Sequence, residues 1–183
     1  MDARPVGVFD SGMGGLTVLH ELLVTLPHED FVYLGDAARL PYGPLPLAEI
    51  RRFAREIGAW LEAQGVKLIV VACNAATSAA LPDLQLELSV PVVGVITPEA
   101  HAAVQATRNR RIGLLATEAT VRAGRYASLL RECRAPRNRR CGRAAESQDE
   151  VAPLHSITSS ARATRVGDKS SPIALAVLRL RMN

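Results

Sequence analysis

Aromatic residues are scarce in this 183-residue chain: three Phe, three Tyr and one Trp. Cysteine is scarcer still, with three, at positions 73, 133 and 141. Their spacing follows neither a zinc pattern nor a disulfide framework, so no metal site is expected and a reduced, cytoplasmic protein is. No apolar run approaches the about 20 residues of a membrane span. The N-terminal segment carries Asp2 and Pro5 instead of an apolar signal region, so secretion is not expected. A net positive charge is missing from most of the chain as well. Residues 1–130 hold 11 Lys+Arg against 13 Asp+Glu, a net of −2, whereas residues 131–183 hold 11 against 5, a net of +6. The basic character therefore belongs to the tail, as in a nucleic-acid-binding arm or a segment of different origin.

What is present is a regular alternation of short apolar runs and amphipathic stretches. Pro5 to Phe9, Phe31 to Leu34, Leu68 to Ala72, Pro91 to Ile96 and Ile112 to Leu115 read as buried strands of a parallel sheet. Leu16, Leu19, Leu23 and Leu26 recur at helical spacing, and so do Leu47, Ile50, Phe53, Ile57, Trp60 and Leu61, with Gly65 as the stop. The helix after Cys73 is expected to run about ten residues toward Leu88, broken or kinked at Pro82. Thr97-Pro98-Glu99 opens another, with Pro98 at its first position, and His101 one turn in reads as a surface residue. The alternation stops near Leu130. Arg131 to Arg143 holds six arginines without a period. Ile173 to Leu180 is apolar but too short to form a core by itself. The expected architecture is α/β: a parallel sheet with flanking helices, one lobe over 1–96, the start of a second over 97–130, and a basic, low-order tail over 131–183.

Three strand ends carry chemistry. Asp10-Ser11-Gly12-Met13-Gly14-Gly15 is a glycine-rich turn between strand and helix, where backbone N–H groups can approach a small anion. It lacks the lysine of a phosphate loop, and a tight turn explains its glycines equally well. Gly35-Asp36-Ala37-Ala38-Arg39-Leu40-Pro41-Tyr42-Gly43-Pro44 sets an acid, a base and a phenol in one loop, as a functional loop or a solvated Asp–Arg pair. Cys73-Asn74 ends the third strand at a helix start. The helix dipole there favours a thiolate able to act as base or nucleophile, against the alternative of an inert buried cysteine. Thr117 and Thr120, at a fourth junction, suit carboxylate binding or N-capping.

Together, Val8-Phe9-Asp10-Ser11-Gly12-Met13-Gly14-Gly15, Tyr33-Leu34-Gly35-Asp36 with Arg39, Pro41, Tyr42 and Gly43, Val71-Ala72-Cys73-Asn74, Val93-Gly94-Val95-Ile96, and Gly113-Leu114-Leu115-Ala116-Thr117 with Thr120 resemble the glutamate racemases of the aspartate/glutamate racemase superfamily. The resemblance covers about residues 5–130. It implies two α/β lobes around a glutamate site, cofactor-independent inversion by two cysteines on opposite faces of the α-carbon, D-glutamate supply for peptidoglycan, and a homodimer. The resemblance implies that Cys73 is the first catalytic cysteine, that Asp10 and Ser11 hold substrate and assist the thiol, and that Tyr42, Gly43, Asn74, Ala75, Thr117 and Thr120 bind substrate. Ala75 replaces the threonine usual in the family, so the contact there falls to the backbone. The second catalytic segment, a Gly-Cys-Thr-His cluster, has no counterpart at Cys133 or Cys141. The C-terminal part therefore reads as that of a truncated or frame-shifted member. Alternatives are a catalytically inactive amino-acid-binding remnant and a one-cysteine decarboxylase of the same superfamily. A flavodoxin-like phosphate domain is disfavoured by Asp10, and a nucleic-acid arm by the lack of interleaved aromatics.

Overall fold

A computed structural model describes residues 2–109, 111–134, 163–164 and 175–180, the last two segments and residue 134 by their backbone. The chain begins β1 (Val6–Asp10), α1 (Leu16–Thr25), β2 (Phe31–Asp36), α2 (Leu47–Ala63), β3 (Leu68–Val71), α3 (Asn74–Glu87), β4 (Val92–Gly94) and α4 (Ile96–Ala106). It continues through α5 (Glu118–Ala123) and α6 (Arg125–Arg134) to the strands β5 (Ala163–Thr164) and β6 (Leu175–Leu180). The sheet order is β4-β3-β1-β2-β6-β5. β1 to β4 are mutually parallel, with Val6 opposite Phe31 on one side and Leu68 on the other.

Both faces of this sheet are covered, which is why its strands read as continuous apolar runs without polar alternation. Val6, Val8, Phe31, Tyr33, Val70 and Ala72 point to the face packed by Leu19, Val18, Leu22 and Leu23 of α1. Phe9, Val32, Leu34, Ile69 and Val71 point the other way, into a core with Ile50, Ile57 and Leu61 of α2 and Ala76, Ala80 and Leu84 of α3. The strand period of two divides each run between two cores. A third, small core joins Ile96 and Ala100 of α4 to Tyr126 and Leu129 of α6.

Several elements differ from the sequence expectation. α3 is a single helix of 14 residues that runs through Pro82. Pro82 is exposed, so its ring meets solvent, and the helix gives up one backbone hydrogen bond. Proline costs about 3 kcal/mol against alanine in a helix interior. Pro82→Ala is therefore expected to raise stability by about 1–3 kcal/mol, read as a higher midpoint in urea with unchanged slope. α4 starts at Ile96, which places Pro98 third in the helix, still within the turn that tolerates a missing N–H. β4 covers only Val92–Gly94 of the expected 91–96 strand.

The expected fifth strand at Ile112 to Leu115 does not form: residues 111–117 are irregular, and Leu114 and Leu115 are exposed. An apolar run becomes a strand only where a neighbouring edge offers hydrogen-bond partners, and none pairs with it among the described residues. The reverse holds for the tail. Its apolar run supplies β6, antiparallel to β2 from Phe31↔Leu180 to Asp36↔Leu175. A segment too short to build a core can still join an existing sheet edge. The rest of the expectation for a low-order tail, including Cys141, lies outside the described residues.

Candidate active site

From β1 the chain passes to β2 on one side and then to β3 on the other, so the carboxyl ends of β1 and β3 flank the point where strand order reverses. Ligand crevices of open α/β sheets form there. Asp10 is the last residue of β1, and Cys73 lies two residues beyond β3 as the N-cap of α3. A cavity of about 810 Å³ opens over these ends, within the size range of small-molecule sites. Asp10, Ser11, Tyr42, Gly43 and Cys73 line it. So do Asn74, Ala75, Thr117 and Thr120, so that all nine residues singled out in the sequence meet in one place. His101 is half-buried and absent from the lining.

The glycine-rich turn has an unexpected occupant. Its N–H groups bind the carboxylate of Asp10 itself: Gly12 N and Gly15 N donate to Asp10 Oδ2 at 3.2 and 2.9 Å. Gly15 is required by close approach, since a Cβ there would lie 2.6 Å from Asp10 Cβ and 3.0 Å from Ala72 Cβ. The anion-binding turn thus fixes a protein acid instead of a phosphate. From the other oxygen a chain runs to the thiol. Ser11 Oγ donates to Asp10 Oδ1 at 3.4 Å, and Cys73 Sγ donates to Ser11 Oγ at 3.3 Å. Ala76 N in turn donates to Cys73 Sγ at 3.4 Å, capping α3.

The dipole argument from sequence does not decide the charge on this thiol. Cys73 is 3 % exposed, and burial pushes its pKa above the ordinary value. The hydrogen bonds of Ser11 and Ala76 pull it down and the charge of Asp10 adds to the rise, but burial is the largest influence. At neutral pH the resting group is a thiol, a proton donor. Alkylation of Cys73 by iodoacetamide, followed by mass spectrometry across pH, is therefore expected to have its midpoint above the ordinary thiol value. Ser11→Ala should move that midpoint higher and Asp10→Asn lower. Shifts in the same direction for both would show that the two residues do not act on the thiol as described.

The opposite wall is built by the second loop and α5. Asp36 is fully buried, and its Oδ2 accepts from Arg39 Nε at 2.6 Å and from the Tyr42 hydroxyl at 2.5 Å. The solvated pair allowed by the sequence is instead an internal one. Arg39 also pairs with Glu56 at 2.5 Å and stacks 4.2 Å over the Phe53 ring. Burial first, then the Asp36 hydrogen bond and charge, raise the Tyr42 phenol well above its ordinary range, so it stays a neutral donor. Gly43 is pressed against α5: a Cβ would lie 3.0 Å from Thr117 Cβ, and Gly43 O accepts from Ala119 N at 2.9 Å. Thr117 and Thr120 share a hydroxyl contact of 3.1 Å.

Sequence reasoning passed over Tyr126 and gave Glu99 only a helix-start role. Both line the cavity. One signal was available: the chain has only three tyrosines. Tyr33 donates to Gly12 O at 3.2 Å, Tyr42 holds Asp36, and Tyr126 reaches Glu99 and Asn74. Two of the three tyrosines thus line the cavity, and the third holds its glycine-rich turn.

A family model, Asp/Glu/Hydantoin racemase, matches residues 18–171. The chain belongs to that family. This racemase-family chain is 61 % identical over 122 residues to the glutamate racemase of Thermus thermophilus, covering 67 % of this chain and 46 % of that protein. It is 53 % identical over 128 residues to the glutamate racemase of Exiguobacterium sibiricum, covering 70 % and 47 %. Among solved structures it is similar to Thermus thermophilus glutamate racemase in complex with beta-chloro-D-alanine, with TM-score 0.65, 58 % identity and coverage of 70 % and 49 %. It is also similar to the Francisella tularensis enzyme in complex with D-glutamate, with TM-score 0.66, 38 % identity and coverage of 72 % and 49 %. The racemase-family chain thus spans about half the length of the relatives it matches. The match of its parallel sheet and helices to these structures bears out the α/β expectation for the fold.

Proposed function

We propose that this chain carries out the cysteine acid/base step of glutamate racemisation at Cys73, in a reaction that interconverts L- and D-glutamate for peptidoglycan synthesis. The observation that carries the reading is the hydrogen-bonded line Cys73–Ser11–Asp10 in the lining of the cavity. It gives the thiol proton a path to a carboxylate. With that proton passed along, the thiolate takes the substrate α-proton: the Cα–H bond breaks, an S–H bond forms, and the electron pair is delocalised into the substrate carboxylate. Run in reverse, the resting thiol protonates a carbanion from the same face. Until it takes that proton, the Asp10 carboxylate supplies the negative charge that suits an α-ammonium group. Among the described lining residues there is no Lys, Arg or His, so the carboxylates of the ligand fall to neutral donors. Asn74, Thr117, Thr120 and the Tyr42–Gly43 wall supply them. In this reading residues 1–96 form the first lobe and 97–130 the start of a second, and the family homodimer and a cytoplasmic setting follow.

Inversion needs a second acid on the opposite face. Among the described lining residues Cys73 is the single cysteine. That favours a second reading, one-face chemistry: α-proton exchange with retention, or protonation of a carbanion left by decarboxylation.

The deciding experiment incubates D- and L-glutamate with the protein in D₂O and follows α-proton exchange by NMR with chiral analysis of the product. Exchange is the expected result, and inversion in the product would show that a second acid serves the opposite face. Exchange with retention selects the one-face reading, and malonate-type substrates tested for CO₂ release then separate its two forms. No exchange in folded protein, together with no CO₂ release from malonate-type substrates, overturns both and leaves a binding remnant, which calorimetry with the two enantiomers would register.

A further inference from the structure

Tyr126 is carried by α6 into the small core with Ile96, Ala100 and Leu129, which leaves it 7 % exposed. Its ring is fixed by that packing, and its hydroxyl projects beyond the core to lie between two side-chain oxygens on other helices. One is Glu99 Oε2 on α4, and the other is Asn74 Oδ1 on α3, at 3.3 Å. Asn74 is adjacent to Cys73, exposed to the cavity, and among the described residues this is the one hydrogen bond of its side chain.

We propose that Tyr126 is a positioning residue that holds the Asn74 amide with Oδ1 turned away and Nδ2 facing the ligand, where it donates to a carboxylate. An asparagine amide carries an acceptor at one end and donors at the other, and a half-turn of the side chain exchanges them. A hydroxyl donor at fixed distance selects the acceptor end for itself. The hydroxyl has a single proton, so Asn74 Oδ1 receives it in the state in which the Glu99 carboxyl, raised above its ordinary range by burial, is protonated and donates to the phenol oxygen; three helices then converge on the orientation of one amide. The consequence reaches the cavity chemistry. With no cationic side chain among the described lining residues, a donor fixed at the start of α3 is one of few groups suited to an anionic ligand.

The identity of the ligand rests on the function proposed above, but the orientation does not, and two readouts on the full chain keep them apart. The first is free of ligand. The Asn74 side-chain NH₂ resonances, assigned through Asn74→Gln, are compared between the native protein and Tyr126→Phe, which keeps the ring in its core. A shift of that pair in Tyr126→Phe is expected, and an unchanged pair would overturn the proposal. The second readout is calorimetric. Tyr126→Phe is expected to weaken glutamate binding about 3- to 10-fold, the effect of one hydrogen bond. On an Asn74→Ala background the same change should have no further effect. Additive losses would mean that Tyr126 acts on the fold and not through Asn74, and would also overturn the proposal. A native chain that shows the amide shift yet binds no glutamate supports the positioning and overturns the functional reading alone.

Discussion

Cys73→Ala is expected to abolish α-proton exchange of glutamate, by at least about 10³-fold, while leaving the fold in place. Positioned acid/base groups contribute about 10²–10⁴ to rate, and on the face served by Cys73 the described residues offer no second thiol to replace it. The structural cost is small. The substitution removes the acceptor of Ala76 N at the start of α3 and the donor to Ser11 Oγ. Loss of an N-cap costs about 0.5–2 kcal/mol. Cys73→Ser separates the two effects. Its hydroxyl can still accept from Ala76 N, so the thermal midpoint should recover toward that of the native protein, yet its pKa is far too high for the proton transfer and exchange should stay absent. Exchange persisting in Cys73→Ala would remove Cys73 from the mechanism altogether.

Asp36→Ala is expected to be the most destabilising of the single changes considered, by about 3 kcal/mol. Asp36 is fully buried and accepts from both Arg39 and Tyr42. Removing one partner of a buried pair costs about 3–5 kcal/mol because the other charge is left without compensation. The lower end applies here, since Arg39 keeps Glu56 and its stacking on Phe53. A domain of this size loses about 2–4 °C of melting temperature per kcal/mol, so a drop of about 6–12 °C should appear in calorimetry. The damage should extend to the cavity, because the Tyr42 hydroxyl loses its acceptor and Gly43 beside it forms the wall against Thr117. Tyr42→Phe leaves the Asp36–Arg39 pair intact and should cost only about 1 kcal/mol. Equal losses from the two variants would show that the ion pair contributes nothing beyond the phenol.

Much of the fold was legible in the chain because its signals are local. The first four apolar runs became β1 to β4, and their lack of polar alternation followed from helices on both sheet faces. The amphipathic spacing from Leu47 to Leu61 became α2. The polar residues at the ends of those runs converged because parallel strands joined by helices all deliver their carboxyl ends to one edge. Asp10, Tyr42 and Cys73 could therefore be placed together from their positions relative to strands and turns alone, whereas Thr117 reaches the site from an irregular segment where a strand was expected.

What failed depended on neighbours distant in sequence. Ile112 to Leu115 has the composition of a strand but lacks a described pairing edge, whereas the tail run at Leu175–Leu180 has one in β2. Pro82 looked like a helix break, but packing of Ala79, Ala80, Leu81 and Leu84 on the core holds α3 together through it. Tyr126 gave no sign of reaching Asn74, 52 positions earlier, because nothing in the local pattern of α6 encodes which helix it lies against.

The sequence by itself determined the order of strands and helices from β1 to α4, the family, and which side chains stand at the ends of β1 to β3, since each rests on spacing within a few residues. The tertiary structure alone decided what those side chains are chemically. It turned the glycine-rich loop toward Asp10 instead of a ligand anion. It also made the Cys73 resting state a thiol against the pull of the helix start, and drew Glu99 and Tyr126 into the site. Protonation and hydrogen-bond partnership depend on how completely water is excluded and on which groups arrive from elsewhere in the chain, and only the packed molecule sets both.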